Sequence, residues 1–586
     1  MKSVKRSLEI FQSIIQNIEN NFNELCGYWN IYEKQRFFVS AISIYDDCFL
    51  KTLESQSSKD DKSYYHQIIK YGYPIFITWF YDKSFSSLPG VVLKPMDDEL
   101  LELYSKLIYS CGIVGWLKQF IDNTKSGYVK TFAVGNYIRI KFSDKYHWNE
   151  YLENEYLTWY SHTVSHLQRE KIENLESIRG KILEKLQHGA FIWQDAFLGY
   201  SNDIETETYF QDLALIDAQQ SVKWDFFPPD CKFDNVYYGD LVHALVDFSG
   251  YAIKHMYAAR LLFKEHPNLI FQNLLSCIFV EDDIVRLISS NREVSIEQAR
   301  KILNIISLNP TEISYYHNNT PEFAPIIKIS KSQYVRSICG LLDEPFGFAL
   351  YALKCRYNTD WDRNVNCREE YFRTQLYSLF SNGKDLCINH PVIIKIDGKV
   401  KTDIDAVIVD QTNGDIAFFQ LKWQDPSSYS TYALRSKRAN YEAQTEKWIN
   451  AISDWIHSAT EKQMSDLLGV PQKYISKNKI KLFILGREHG NYSSNTVHSD
   501  NCAWCQWYQL LCTVTTLSNK ENLAIQSLFD SIQNQSPYKK RIIKSIKSLI
   551  ESKAFFITIL FISFTSFPPY IFVLYVCGVE VKWYLP

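Results

Sequence analysis

Apolar residues recur at three- and four-residue spacing from the start of the chain to about Asp122. That is the period of amphipathic helices. It predicts helices in SLEIFQSIIQNIENNFNELC, FFVSAISIYDDCFLKTL and DELLELYSKLIYSCGIVGWLKQFI, with SSKDDKS as a loop. Two runs, YVKTFAV and YIRIKF, straddle Gly135-Asn136 and predict a short hairpin near 128–142. Helical spacing resumes in HWNEYLENEYLTWYSHTVSHLQREKIENLESIRGKILEKLQ. It breaks at DFFPPDCKFDN and continues through IEQARKILNIISL to the stop at Asn309-Pro310.

Beyond about Ser330 the pattern changes. A helix, YVRSICGLLDEPFGFALYALKCRY, leads into a polar link, NTDWDRNVN. The next segments read as helix (CREEYFRTQLYSLFSNG), then strands PVIIKI, DIDAVIVD and DIAFFQLKW. A helix (SKRANYEAQTEKWINAISDWIH), a strand (KIKLFILG) and a helix (AWCQWYQLL) follow. This α-β-β-β-α-β-α order predicts a mixed sheet flanked by helices. The expected organisation is a mostly helical region over 1–340, an α/β domain over 341–520, and a tail over 521–586 holding a helix and an apolar segment.

The tail admits two readings. Ala554 to Val579 carries no charge and follows the basic stretch KKRIIKSIKSLIESK, as a membrane anchor would. However, Pro568 and Pro569 interrupt it, and ITILFISF and YIFVLYV are β-branched and aromatic. Packed strands around a turn are the favoured expectation, with the anchor as the alternative. The chain of 586 residues has 46% apolar residues, 13 scattered cysteines and a formal net charge of −3. A globular body is implied, and a uniformly basic nucleic-acid-coated protein is disfavoured. The N-terminus lacks a signal-peptide pattern, so reduced thiols in a cytoplasmic protein are expected.

The chemistry concentrates in TDIDAVIVDQTNGDIAFFQLKW. Asp403 and Asp405 alternate along one strand and so share a face, as do Gln420 and Lys422 along the next. Asn413-Gly414 predicts a two-residue hairpin loop, which would set Lys422 beside Asp405 and Gln420 beside Val407. Carboxylates, a carboxamide and an ammonium would then gather at one hairpin end. Such a set can hold Mg²⁺ and position a water. The plainer alternative is two polar strand ends joined by an ordinary ion pair.

Strand-Asp, hairpin, then an acid-or-amide-x-Lys resembles the PD-(D/E)XK, or restriction-endonuclease-like, nuclease superfamily. The matching residues are Asp405, Gln420 and Lys422, over about residues 365–515. The resemblance implies an α-β-β-β-α-β core and an acid on the first helix. A helical wheel puts Glu369 on the Phe372, Leu376 and Phe380 face and Glu370 away from it. It further implies Mg²⁺, with Mn²⁺ as the substitute, held by Glu369, Asp405, Gln420 and the Leu421 carbonyl. Lys422 would activate water, and Gln444 in the following helix would support the site. The implied activity is endonucleolytic cleavage of DNA, suited to bacterial restriction or anti-phage defence. Cutting both strands would call for a homodimer, and the helical region for a target or a protein partner. Two departures stand out. Gln420 replaces the usual acid, and Ile404 stands where a proline is usual, with Asp403 before it. Asp403 is left open between metal ligand, support and solvated strand end. The alternative to an enzyme is a nuclease fold kept as a scaffold that binds nucleic acid or protein.

Other signals are weaker. His489, His498, Cys502 and Cys505 form half a zinc motif, but core cysteines are the better expectation. His162 and His166 share a helix face with no third ligand evident. Arg435, Lys437 and Arg438, near Tyr429, Tyr432 and Tyr441, suit a nucleic-acid backbone or a solvated helix face equally. The run of Lys539, Lys540, Arg541, Lys544 and Lys547 could bind phosphates or anionic lipid but reads better as a polar helix face.

Overall fold

The computed structural model describes residues 2–54, 59–127, 129–134, 137–142, 147–201, 203–221, 223–317, 322–380, 383–396, 398–425, 431–488, 501–518, 523–535, 557–561, 572–576 and 579–583. Gly135-Asn136, Tyr429, His489, His498, Pro568-Pro569 and the Lys539 basic run lie outside them, as do the side chains of Tyr432, Arg435 and Arg438.

The N-terminal helices, Lys2–Cys26, Ile31–Glu54, Lys59–Phe80 and Asp98–Lys125, close over an aromatic core. Phe22, Phe37, Phe38, Phe76 and Phe80 are buried there. Residues 59–63 of the expected loop SSKDDKS instead open the helix Lys59–Phe80, and Ser57 and Ser58 lie outside the described residues. Its polar residues start the helix, and the apolar run IFITWF buries its end. That helix crosses Asp98–Lys125 at glycines. A Cβ on Gly115 would lie 1.9 Å from the Tyr71 carbonyl oxygen, and one on Gly72 would lie 2.5 Å from the Gly112 nitrogen. Only glycine permits that approach.

The predicted hairpin forms, with Val129–Val134 antiparallel to Tyr137–Phe142. The described tail strands join it. Ile557–Phe561 pairs with Tyr137–Phe142, then Phe572–Val576 and Val579–Trp583 follow. No described helix is long and apolar enough to cross a membrane.

The helix Tyr238–Glu265 is buried along most of its length, and nearby in the chain a small sheet that the sequence pattern missed is built from Ile278–Val280, Gln333–Arg336, Ile326–Lys328 and Ser307–Leu308. YVRSICGLL accordingly begins as a strand and becomes a helix only at Ile338.

The remainder is a three-layer α/β domain. Helix α1 (Asn358–Ser378) starts within the expected polar link NTDWDRNVN, because Trp361 is buried between Phe226 and Phe227 of the helical half. The strands are β1 (Asp385–Cys387), β2 (Val392–Ile396), β3 (Lys399–Ile404), β4 (Ala406–Asp410), β5 (Ile416–Lys422), β6 (Ile480–Gly486) and β7 (Cys502–Gln506). The helices after α1 are α2 (Thr431–Ser458), α3 (Glu461–Leu468), α4 (Trp507–Ser518) and α5 (Ile525–Gln535). The sheet order is β1-β4-β5-β6-β7. β1, β4 and β5 are mutually antiparallel neighbours, and β6 and β7 continue parallel to β5.

Alternation assigns the two faces. Val407, Val409, Ile416 and Phe418 pack with Trp448, Ile452 and Trp455 of α2. Ala406, Ile408, Phe419 and Leu421 pack with Phe372 and Leu376 of α1, with Phe380 just past its end, and with α4 and α5.

Three expectations are corrected here. PVIIKI (β2) does not enter the main sheet but pairs with β3 as a separate hairpin, and β1 takes the sheet edge. DIDAVIVD is broken at Asp405 into β3 and β4. AWCQ is strand, with the helix starting only at Trp507. A parallel strand buried on both faces is continuously apolar, and over a short run it cannot be told from a buried helix.

Candidate functional site

Asp405 sits at the break between β3 and β4 and is 2% exposed. Its N–H donates to the Phe419 carbonyl at 3.1 Å. Across the ladder, Ala406 pairs with Phe419, so Asp405 stands opposite Gln420. The expected register set Lys422 there and is therefore displaced by two residues. The cause is the turn. Asp410 N–H donates to the Asp415 carbonyl (2.9 Å) and Gly414 N–H to the Asp410 carbonyl (2.8 Å), which leaves a loop of Gln411 to Gly414. The Asp410 carboxylate stabilises it by accepting from Thr412 N–H at 2.8 Å. A slip of two residues keeps every side chain on its face. Gln420 and Lys422 thus still share one face of β5, and the Gln420 amide meets the Asp405 carboxylate at the strand break.

One carboxylate oxygen of Asp405, Oδ2, accepts from Leu421 N–H at 2.7 Å and from the Gln420 amide NH₂. Burial pushes the Asp405 carboxyl up to about 7. The charges of Glu369 and Asp403 push the same way, opposed by the Leu421 N–H and the charge of Lys422. Lys422 is half-buried at the end of β5 and forms no ion pair among the described residues. The ordinary Asp405–Lys422 ion pair is therefore not what holds the two strand ends. Asp403 is exposed, and its carbonyl accepts from Trp448 Nε1 of α2 at 2.6 Å.

Helix α1 brings Glu369 to the same place, exposed where the helix overhangs the sheet. Glu370 lines a different cavity, with Asp230, Lys232 and Asp360. α1 is pinned to β4 by its own side chains. Arg373 Nε–H donates to the Asp405 carbonyl at 2.5 Å, and the Tyr377 hydroxyl accepts from Val407 N–H at 3.0 Å.

The helical half supports the exit of β5. The Lys422 carbonyl accepts Arg487 N–H at 2.8 Å. The buried Arg487 guanidinium binds Asp225 (2.6 Å) and Gln375 (2.8 Å), and lies against the Trp423 and Trp507 rings.

Other expected residues are placed differently. Lys437 turns inward and donates to the Asp425 carbonyl at 3.0 Å, so its ammonium is used within the fold. Gln444 is exposed one turn before Trp448. Cys502 and Cys505 are buried in β7 with their thiols pushed up by burial, as core cysteines. His162 and His166 are exposed on the helix His147–Leu167.

A hard divalent cation needs oxygen ligands and net negative charge. Among the described residues, no group of three or more His, Cys, Asp or Glu side chains is gathered tightly enough to hold a metal ion. What the site does offer is one buried carboxylate coupled electrostatically to two others, with an amide opposite. Burial and the neighbouring carboxylates outweigh the Lys422 charge at this acid, so it is only partly compensated. That deficit fits a cation held by Asp405 and Glu369. Gln420 would join only by turning its amide oxygen toward the ion.

Sequence reasoning missed Arg373, although its i, i+4 spacing from Glu369 was a readable signal. It also missed Arg487, which no local pattern marks. Comparison with known proteins finds no matching family model, no matching curated protein and no matching solved structure.

Proposed function

We propose that the α/β domain is a restriction-endonuclease-like phosphodiesterase that cuts DNA with Mg²⁺ or Mn²⁺. The observation that carries this reading is the juxtaposition at Asp405. A buried, cation-deficient carboxylate faces Gln420 across the ladder, lies close to Lys422, and feels Glu369 from the preceding helix. The element order supports it too, with α1, the antiparallel β1-β4-β5, then α2 and the parallel β6.

Asp405 and Glu369 would hold the ion, with Gln420 and the Leu421 carbonyl as further oxygen donors. The metal supplies charge stabilisation and a more acidic bound water. Lys422, whose ammonium offers three donors and no acceptor, would orient the attacking water and meet charge on the phosphate oxygens. The water oxygen bonds to phosphorus as its proton passes to solvent, one P–O ester bond breaks, and the leaving oxygen takes a proton from solvent.

One observation favours the second reading, a nuclease fold kept as a scaffold. Gln420 and Leu421 already satisfy the Asp405 carboxylate oxygen without any metal. The test is cleavage of plasmid, linear duplex, single-stranded DNA and RNA with Mg²⁺ or Mn²⁺, by wild type, Asp405→Ala and Lys422→Ala. Cutting by wild type that both substitutions abolish is expected. An inert wild type, or three proteins that cut alike, would reject the enzyme in favour of the scaffold.

A further inference from the structure

Helix α1 carries a second charged residue toward the site. Arg373 follows Glu369 by one turn, on the row that includes Leu376 and Phe380. It is 6% exposed. A buried guanidinium normally has an anion beside it, since an unpaired buried charge is costly. Arg373 has no ion pair among the described residues. Its Nε–H is spent on the backbone carbonyl of Asp405 at 2.5 Å. The Asp405 carboxylate takes its hydrogen bonds from Gln420 and Leu421 instead. Arg373's charge is thus not used to neutralise the acid beside it. A guanidinium offers five N–H groups in a planar fork. Anchoring the Nε at the Asp405 backbone fixes that plane, one helical turn from Glu369, and leaves the two terminal nitrogens with no acceptor among the described residues.

The neighbouring arginines differ. Arg368 pairs with Asp425 (2.9 Å) and Arg487 with Asp225 (2.6 Å). Arg373 is the one held at the candidate centre itself by a neutral group. A fork fixed in place and without an anion suits a phosphate oxygen.

We propose that Arg373 is a catalytic residue of this site, gripping a non-bridging oxygen of the scissile phosphodiester. The inference rests on the nuclease reading and adds to it a charge that meets the substrate rather than the metal. Negative charge on the phosphate oxygens in the transition state would then be met by Arg373 from the α1 side and by the metal from the Asp405 side.

The test uses the full chain as wild type, Arg373→Gln and Arg373→Lys, each checked for a native thermal transition. Binding of a duplex oligonucleotide is measured in EDTA across a salt series. Loss of one phosphate contact is expected to flatten the slope of log K against log salt by about 0.9 in Arg373→Gln. Arg373→Lys keeps the charge and the slope. Removing an anchored donor of this kind is expected to lower kcat by about 10²–10³ in Arg373→Gln. Arg373→Lys loses less, because a point charge replaces the fork. A merely structural arginine would leave the salt slope unchanged. If Arg373→Gln does not fold, Arg373→Met takes its place: a salt slope flattened by about 0.9 against wild type and Arg373→Lys supports the proposal, and an unchanged slope overturns it. Wild type that cuts, beside variants with unchanged slope and kcat, overturns the role of Arg373 alone. Wild type that does not cut overturns the nuclease reading and this proposal with it.

Discussion

Two aspartates bracket the end of strand β5, and the fold treats them in opposite ways. Asp425 is surrounded by cations. Lys354 reaches it at 2.6 Å, Arg368 at 2.9 Å, and Lys437 binds its carbonyl at 3.0 Å. Burial works against its charge, but the Lys354 hydrogen bond and the Arg368 charge outweigh it and hold the carboxyl below its usual range. Asp405 is more deeply buried, faces Glu369 and Asp403, and is pushed up to about 7. At Asp425 compensation comes from within the fold, with Lys354 reaching it from the helix Pro345–Arg356 of the helical half. At Asp405 it is withheld. The pair at Asp425 completes itself within the fold, whereas the charge at Asp405 is what the proposed cation would complete.

The largest expected effect breaks the paired side. Arg368 is 2% exposed and enclosed by the rings of Phe226, Phe227, Trp361 and Trp423. Asp425→Ala would strand that guanidinium in an aromatic box. Removing one partner of a buried pair costs about 3–5 kcal/mol. Urea unfolding of the full chain measures it. A loss below about 1 kcal/mol, the range of an exposed pair, would mean the pairing at Asp425 is incidental.

The unpaired side is expected to respond with the opposite sign. The Asp405 carboxyl rises from 3.8 to about 7 on folding. Between those values the folded chain keeps a proton that the unfolded chain releases. Stability from this group is therefore present below about pH 4 and is lost as pH rises to about 7. At roughly 1.4 kcal/mol per pKa unit, the penalty above pH 7 has an upper bound of about 4 kcal/mol. Asp405→Asn removes the penalty while keeping the shape. It is expected to exceed wild type by about 2 kcal/mol at pH 8, half that bound, and to converge with it near pH 4. Denaturation midpoints at both pH values decide this. Mg²⁺ should raise the wild-type midpoint at pH 8 and leave Asp405→Asn unmoved. Equal stability of the two proteins at pH 8 would show that Asp405 carries no charge deficit.

The contrast explains what was legible in the sequence. Asp405, Gln420 and Lys422 could be read because alternation along each strand puts Gln420 and Lys422 on one face, and the longer loop shifted the pairing by an even number of residues. Glu369 could be read from helical periodicity. Asp425 and Arg368 could not, since the pair lies 57 residues apart and meets only through tertiary packing. The small sheet around Gln333–Arg336 was hidden for a related reason: its strands are two to four residues long and, apart from the Ile278–Val280 edge, largely buried. Buried strands of that length carry no period that separates them from helix. Lys437 was misread as facing outward because local pattern does not reveal a distant carbonyl.

The smallest expected effect sharpens the register on which the comparison rests. Gly414 has φ +76°, in the left-handed region that favours glycine. An added Cβ would meet only the Tyr474 carbonyl oxygen at 3.6 Å and the far end of Lys479 at 4.0 Å, so space is available and backbone strain dominates. Gly414→Ala is expected to cost about 1 kcal/mol. In a two-residue Asn-Gly loop, that glycine would set the turn and with it the pairing of Asp405. In the observed loop, the pairing is instead held by the Asp410–Asp415 backbone bond and by Asp410 capping Thr412. The substitution should therefore lower the denaturation midpoint while leaving the site's chemistry intact: the pH dependence of stability assigned to Asp405, and any cleavage, stay as in wild type. Loss of that pH dependence in Gly414→Ala would mean that the loop glycine, rather than Asp410, positions Asp405 opposite Gln420.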